Sequence, residues 1–365
     1  MWRETVKGVI LISGGVDSAV AAYLLKQNGD QVIGLFLAML GEKGKSDATH
    51  ETHITEEITA LKAEKVCSEL KLDDFIVLDL EKEFRETVIK NFAESYQAAV
   101  TPNPCVLCNR LFKFGKAVNF AKNLNADYIS TGHYTKVEFS DFYKKTLLKR
   151  GTDNSKDQSY FLSYICDDTL PFIKFPLGDY YKKDVRRIAE QLCLSSSQHA
   201  DSQEICFVPN NQYTERLRDE GITVQPGVVL DINGKAIGKH SGYQNYTIGQ
   251  RTGMEFYKAL TGRLFVYRIN GKDNTLTVAP YDTLLSHDMR IRNVNFYTAN
   301  IPAECFCQIR KKAKTELVRI YIEDYTRVHV HFVTPVFAIT PGQFAVFYDQ
   351  EGYVLGSGEI ETPLP

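Results

Sequence analysis

The residues Ser13-Gly14-Gly15-Val16-Asp17-Ser18 follow directly on the apolar run Val9-Ile10-Leu11-Ile12 and directly precede the helix-like run Ala19 to Gln27. The stretch reads as strand, glycine turn, helix. Such a turn leaves the first N–H groups of the helix unpaired, with the positive end of the helix dipole behind them, which makes an anion site. Two glycines let the main chain approach an anion, and Ser13 and Ser18 add hydroxyl donors. Asp17 is placed to hold a metal ion or a water beside a polyphosphate.

A P-loop would need Gly-Lys-Ser/Thr after its first glycine, and no lysine follows these glycines. The Gly-Lys-Ser at Gly44 to Ser46 has Met39 where that first glycine should stand, so it is rejected. Downstream, Gln31 to Leu37 and Phe75 to Leu80 read as strands, and Tyr128 to Thr131 as another that ends at Gly132-His133-Tyr134. Helices are expected within Ala19–Gln27, after the loop with Ile54, Ile58, Leu61 and Leu70 near one face, and over Glu81–Ala99 with Phe84, Val88, Phe92 and Tyr96 four apart. Gly41 to Thr55 reads as a polar, mobile loop that could order over a bound partner. This βαβ alternation predicts a parallel sheet whose ligands lie at the carboxyl ends of its strands.

Near residue 205 the texture changes to short alternating runs separated by Pro226-Gly227, Asn233-Gly234 and Asn270-Gly271, which predicts a small, mostly β middle domain. From about 285 onward Cys305–Ile309, Leu317–Ile322, Val328–Val333 and Ala345–Tyr348 predict the strands of a small barrel or sandwich. The expected fold class is α/β with domains at 1–204, 205–284 and 285–365. Lysine plus arginine, 43, nearly balances aspartate plus glutamate, 45, so any contact with nucleic acid must come from a local patch. No apolar stretch approaches the roughly 18 residues of a membrane helix, and none resembles a signal or transit peptide, so a cytoplasmic, bacterial-type setting is expected.

Eight irregularly spaced cysteines do not make a secreted disulfide framework, which leaves some of them as working thiols. In Thr101-Pro102-Asn103-Pro104-Cys105-Val106-Leu107-Cys108-Asn109-Arg110 two prolines stiffen an extended loop, and a helix is expected to begin near Cys108. A cysteine at a helix N-terminus beside an arginine has its thiolate favoured. The bare Cys-x-x-Cys leaves a redox pair, half a zinc site, iron–sulfur ligands and a catalytic thiol all open. Cys67, Cys166, Cys193, Cys305 and Cys307 read as small core residues. Arg310, Lys311, Lys312 and Lys314 form a basic cluster that reads equally as a phosphate contact or a solvated strand face.

The glycine loop resembles the pyrophosphate loop of the ATP pyrophosphatases, which split ATP to AMP and pyrophosphate while adenylating a carbonyl oxygen. The resemblance narrows along the chain. Thr101 to Asn109, Thr131 to Tyr134, Lys156-Asp157-Gln158-Ser159-Tyr160-Phe161-Leu162, Asp201 to Phe207, Tyr246-Thr247-Ile248-Gly249-Gln250-Arg251 and Thr340 to Tyr348 occur in that order. Together they resemble the bacterial tRNA-specific 2-thiouridylases, over nearly the whole chain. The resemblance implies an N-terminal ATP pyrophosphatase domain of the adenine nucleotide alpha hydrolase type. It also implies a reaction: ATP, with Mg2+, adenylates O2 of the wobble uridine of tRNA, and a cysteine persulfide delivers sulfur to C2.

By the family's pattern Cys108 is the nucleophile and Cys206 the partner that takes the persulfide, and reduces it or closes a disulfide. Leu11, Ile12, Ser13 to Ser18, Leu37 and Gly132 would touch the nucleotide. Asn103, Pro104 and Cys105 would line the target base, while Lys156, Asp157, Gln158, Lys312 and Ala313 would contact tRNA. Cys105 stands where many members carry aspartate, Lys312-Ala313-Lys314 where they carry Arg-Tyr-Arg, and Gly356-Ser357-Gly358 where they carry three glycines. A desulfurase or persulfide relay protein is implied as sulfur donor.

Other readings stay open at this point. Cys105, Cys108 and Cys206 together offer three thiolates to a four-iron four-sulfur cluster. An amide-forming ATP pyrophosphatase, or a non-enzymatic RNA-binding redox sensor, would use the same glycine loop differently.

Overall fold

The computed structural model describes residues 6–40, 56–198, 205–208, 212–259 and 262–361. The expected loop Gly41–Thr55 and residues Asp201 to Glu204 of the Asp201–Phe207 motif lie outside them. By its contacts the chain divides into two compact units, one of Met1–Thr87, Cys105–Gln203 and Gly352–Val354, the other of Val88–Pro104, Glu204–Glu351 and Leu355–Pro365.

The first unit begins β1 (Lys7–Leu11), α1 (Val16–Gln27), β2 (Gln31–Ala38), α2 (Glu56–Glu69) and β3 (Asp74–Asp79). Gly29, at φ +84°, follows the end of α1 where a side chain would be strained. The chain then runs through α3 (Glu81–Phe84) and a π-helical turn, Arg85–Ile89, into α4 (Lys90–Gln97), which belongs to the second unit, so the single helix expected over Glu81–Ala99 carries a π turn near its middle. After α5 (Pro104–Cys108) a second π-helical run spans Asn109–Lys116 and passes into α6 (Ala117–Asn123) and β4 (Tyr128–Ser130). An antiparallel hairpin, β5 (Thr135–Ser140) with β6 (Lys145–Arg150), was not foreseen. α7 (Ser159–Leu162), β7 (Ile173–Lys174) and α8 (Lys182–Gln191) complete the unit.

Its sheet runs β3-β2-β1-β4-β7, with every pair parallel. The strand order therefore reverses beside β1. In such sheets the crevice beyond the carboxyl ends at the reversal is where ligands bind. Val9, Ile10, Val32, Leu35 and Ile129 are fully buried, because the strands carry apolar side chains on both faces and helices cover them. Ala19, Val20, Ala21 and Ala22 of α1 pack with Val185 and Ala189 of α8 in one core, the small residues allowing close helix approach.

In the second unit, α9 (Tyr213–Asp219) precedes a five-stranded sheet of order β10-β9-β8-β12-β11, built from β8 (Gly227–Leu230), β9 (Ala236–His240), β10 (Glu255–Phe256), β11 (Phe265–Asn270) and β12 (Thr275–Ala279). Asn233-Gly234 and Asn270-Gly271 turn its hairpins, as expected from their chemistry. Six strands, β13 (Leu285–Phe296), β14 (Glu304–Gln308), β15 (Glu316–Ile322), β16 (Arg327–Phe337), β17 (Phe344–Tyr348) and β18 (Val354–Ile360), close a barrel. Alternate residues such as Met289, Ile291, Val328, Val330 and Phe332 fill it. β13 pairs with both β16 and β18, and its register shifts at Ser286/Asp288 and Arg292/Asn295 let one long strand serve both neighbours. The α/β class, with a parallel sheet first, a small β-rich region next and a closed barrel last, agrees with the sequence.

Candidate active site

β1 ends at Leu11, and Ile12 donates its N–H to Leu35 O at 3.0 Å, which carries the sheet one residue further before the turn. Gly14 takes φ +76°, and a Cβ there would stand 2.9 Å from the Lys62 side chain on α2. Ser18 Oγ donates to Gly15 O at 3.1 Å and accepts from Ser13 N–H at 3.3 Å, so the turn is tied across its own neck. Ala19 N–H makes the first backbone bond of α1, to Gly15 O at 3.1 Å. The N–H groups of Val16, Asp17 and Ser18 then have no acceptor in the helix itself. Gly132, just past β4, packs against this turn so closely that a Cβ would lie 2.6 Å from Asp17 C and 2.7 Å from Ser18 N. Leu37 is buried on β2 beside β3.

Asp17 departs from expectation. Its carboxylate receives Lys182 Nζ at 2.7 and 2.9 Å and the Tyr134 hydroxyl at 2.7 Å. A cation of the protein's own thus sits where a metal ion was expected. Lys182, only 9 % exposed, is the first residue of α8, and its N–H donates to Asp153 Oδ2 at 3.0 Å. Burial alone would raise the Asp153 carboxyl, but the bonds it accepts from Lys182 and Ser155 N–H groups and the Ser155 hydroxyl outweigh that and hold it below the usual range. Neither Lys182 nor Asp153 was singled out in the sequence. The sole trace is a lysine opening an amphipathic run, Lys182 to Gln191.

The helix at the cysteines begins at Pro104, not near Cys108, because proline's fixed φ suits the first turn and its missing N–H costs nothing there. Cys108 therefore closes α5 rather than opening a helix. Arg110 turns to Tyr164, with NH1 donating to Tyr164 O at 2.8 Å and the guanidinium 4.2 Å over the ring. Burial pushes the Cys108 thiol up to about 11, against the pull of the Lys113 ammonium, and raises Cys105 for the same reason. The expected low-pKa thiol is thus reversed. Asn109 is buried beside it, donating Nδ2 to Phe161 O at 3.0 Å while its Oδ1 meets no partner. Cys206 is exposed.

His133 shares a 2.7 Å hydrogen bond with the Thr131 hydroxyl and packs against Phe114 and Phe175, which also pack on each other. Burial, then Lys113, holds its imidazole well below the usual range, so the ring is neutral at pH 7.

Two residues expected to contact tRNA, Asp157 and Gln158, make hydrogen bonds within the fold. Asp157 is 2 % exposed, and its oxygens accept from Gly151 N, Ser159 N, Ser159 Oγ and Arg150 NH1. Gln158 exchanges bonds with Tyr134, taking its N–H on Oε1 and giving its own N–H to Tyr134 O, both at 2.9 Å. The basic cluster lies in a turn between β14 and β15 rather than on a strand. Arg310 faces inward there, bonded through NH2 to Ile248 O at 2.9 Å and also to Ala338 O and the Thr340 hydroxyl. Lys312, exposed in that turn, and the half-buried Lys156 and Ala313 remain. Cys67, Cys305 and Cys307 are core residues as expected, but Cys166 and Cys193 are exposed.

Among the described residues no group of three His, Cys, Asp or Glu side chains is placed to hold a metal ion. No described helix is long and apolar enough to cross a membrane.

Family models match the chain in three places: a tRNA methyl transferase HUP domain at residues 6–210, a tRNA methyl transferase PRC-barrel domain at 217–280, and an aminomethyltransferase β-barrel domain at 286–360. A tRNA-specific 2-thiouridylase MnmA from Petrotoga mobilis is 45% identical over 356 residues, covering 97% of each chain. Its namesake from Campylobacter jejuni is 37% identical over 98% of this chain and 100% of its own. Among solved structures, a 4-thiouridine synthetase–RNA complex with bound ATP aligns with 59% of this chain and 50% of its own at 14% identity and a TM-score of 0.37. With relatives matched from end to end at these identities, the chain belongs to the tRNA-specific 2-thiouridylase family.

Proposed function

We propose that this protein carries out the ATP-dependent 2-thiolation of the wobble uridine of tRNA. The observation that carries the reading is the glycine turn at the reversal of a parallel sheet, closed on one side by Gly132, in a chain that belongs to this family along its length. ATP, entering as its magnesium complex, would rest its phosphates on the N–H groups of Gly14 to Ser18, with Leu11, Ile12, Leu37 and Gly132 against the nucleotide. Lys182 would offer its ammonium to the same phosphates, since pyrophosphate brings more negative charge than Asp17 alone.

Uridine O2 attacks the α-phosphorus and pyrophosphate leaves. The terminal sulfur of a cysteine persulfide then attacks C2, and AMP departs with the former O2. A second cysteine cleaves the S–S bond, leaving sulfur on C2 and a disulfide that an external thiol reopens. We assign the nucleophile to Cys108 and the persulfide to Cys206. Burial opposes a thiolate at Cys108, and this favours sulfur arriving as a persulfide on an exposed cysteine, because a persulfide S–H is more acidic than a thiol. Asn103, Pro104 and Cys105 would line the flipped base, and Lys156, Lys312 and Ala313 remain for tRNA. A desulfurase or persulfide relay supplies sulfur, and the setting is the cytoplasm. The division 1–204, 205–284 and 285–365 is retained as the functional one.

The domain descriptions speak of methyl transfer and the full-length relatives of thiolation; an adenylating loop followed by motif cysteines favours the latter. The test is anaerobic purification, iron analysis, and mass spectrometry of unmodified tRNA after incubation with ATP and a persulfide donor. Iron-free protein that forms 2-thiouridine, and loses this in Cys108→Ser and in Cys206→Ser, supports the proposal. Activity that requires stoichiometric iron overturns the persulfide route, and no thiouridine with any tRNA overturns the function.

A further inference from the structure

Two motifs that the proposed chemistry leaves idle, Tyr246 to Arg251 and Thr340 to Tyr348, converge with the Thr-Pro-Asn-Pro stretch in one hydrogen-bonded network. Gln343 donates Nε2 to Thr101 O at 3.0 Å and to Pro102 O at 3.1 Å. Two carbonyls facing one amide fix which end of that amide is nitrogen, because only the NH2 end carries two donors. In return Thr101 donates its N–H to Pro341 O at 3.2 Å. Pro102 and Pro104 have no N–H to give, so these bonds account for much of what the segment's backbone can make.

The turn that holds Gln343 is itself fixed. Gly342 takes φ +86°, and a Cβ there would stand 2.4 Å from the Val100 side chain and 2.8 Å from Thr101 O. Gly342 N–H donates to Ile360 O at 2.9 Å, and Ile360 N–H returns a bond to Gln343 O at 2.7 Å. One step back, Arg310 clasps Ala338, Thr340 and Ile248, and Gly249, at φ +87°, lies so close that its Cβ would be 2.6 Å from that of Ala338.

We infer that Gln343 is a positioning residue for the cysteine-bearing segment: with Arg310 and Gly342 behind it, it fixes the backbone from which Asn103 and the first turn of α5 are launched. This rests on the role proposed for Cys108. It assigns the turn that carries Gln343 a part in holding that segment.

The test uses the full chain, with Gln343→Glu, which keeps the shape but sets carboxylate against two carbonyls, and Gln343→Met as the neutral counterpart. Three quantities are read: kcat for tRNA thiolation, ATP affinity, and the rate at which a small alkylating reagent modifies Cys108, resolved by peptide mass spectrometry with Cys67 as a buried internal reference. Gln343→Glu is expected to lower kcat about 100-fold, the cost of misplacing a reacting group by about an ångström. It should also raise Cys108 alkylation relative to Cys67 about tenfold, the scale of losing a hydrogen bond or two, with ATP affinity unchanged. Gln343→Met should fall between it and the wild type. Wild-type kcat and Cys108 alkylation in either soluble variant, or an equal rise at Cys67, overturns the inference. If the wild-type chain forms no thiouridine, the functional reading fails, and the ratio of Cys108 to Cys67 alkylation still judges the positioning.

Discussion

The nucleotide turn and the cysteine segment are held by opposite means. Ser18 reaches Gly15, three positions back, and Ser13, five positions back; the turn is tied by its own sequence. The cysteine segment is held by Gln343, whose bond to Thr101 spans 242 positions. A turn fixed by near neighbours keeps its shape wherever the chain carries it, whereas a segment fixed by a distant barrel is correct only once that barrel has formed. The anion site should therefore tolerate damage to the barrel, and the cysteine segment should not.

The largest effect sets the limits of that contrast. Cys108→Ser should abolish thiolation, by at least about 1,000-fold, while ATP binding measured by titration stays at the wild-type level; a parallel loss of ATP affinity would mean that the two regions are not separable. Next, Gly132→Ala drives a Cβ into the backbone at Asp17 and Ser18. It should cost about 100-fold in thiolation, with ATP affinity falling too and Cys108 alkylation unmoved. Smaller again, Lys182→Gln removes the charged partner of Asp17 and should weaken ATP binding about tenfold, the scale of one charged hydrogen bond; unchanged affinity would remove Lys182 from the phosphate site.

The gentlest test is pH. Because burial raises the Cys108 thiol to about 11, its proton is held more tightly in the folded chain than in the unfolded one. Alkylation of Cys108 should climb tenfold per pH unit from 7 to about 10 without levelling. The same shift means that burial of this thiol supports the fold fully below its unfolded pKa, and that the support is lost as pH rises toward 11. A plateau near pH 8.5 would show a solvated thiol and bring the cysteine segment closer in character to the nucleotide turn.

The same contrast explains what could be read from the sequence. Gly14, Gly29 and Asn233-Gly234 declare their backbone shapes locally, and the turns they mark are where the sequence puts them. Pro104 was read as a loop stiffener because a proline at the first helical position and one in an extended loop look alike until the next residues fold. Lys182 escaped because its partner Asp17 lies 165 positions away. Arg310 was counted with a surface cluster because nothing along the chain distinguishes a guanidinium turned to Thr340 from one turned to water. Asp157, too, gives no sequence sign that four donors inside the fold take up its carboxylate.

The π-helical run Asn109–Lys116 has a consequence for how this helix can change. It holds one residue more than regular winding would accommodate, and Gly115 is where the surplus is absorbed, since a Cβ there would come within 2.9 Å of Arg110 O five residues earlier. Loss of a single residue from most helices shifts the phase of everything beyond it by about 100° and ruins the face that packs. Here the same deletion would restore ordinary winding, so that Cys108 and Asn109 on one side and the packed face of α6 on the other keep their phase and only the wide turn is lost. The surplus residue is thus a spare, which this helix could lose without turning the thiol away from the face that packs.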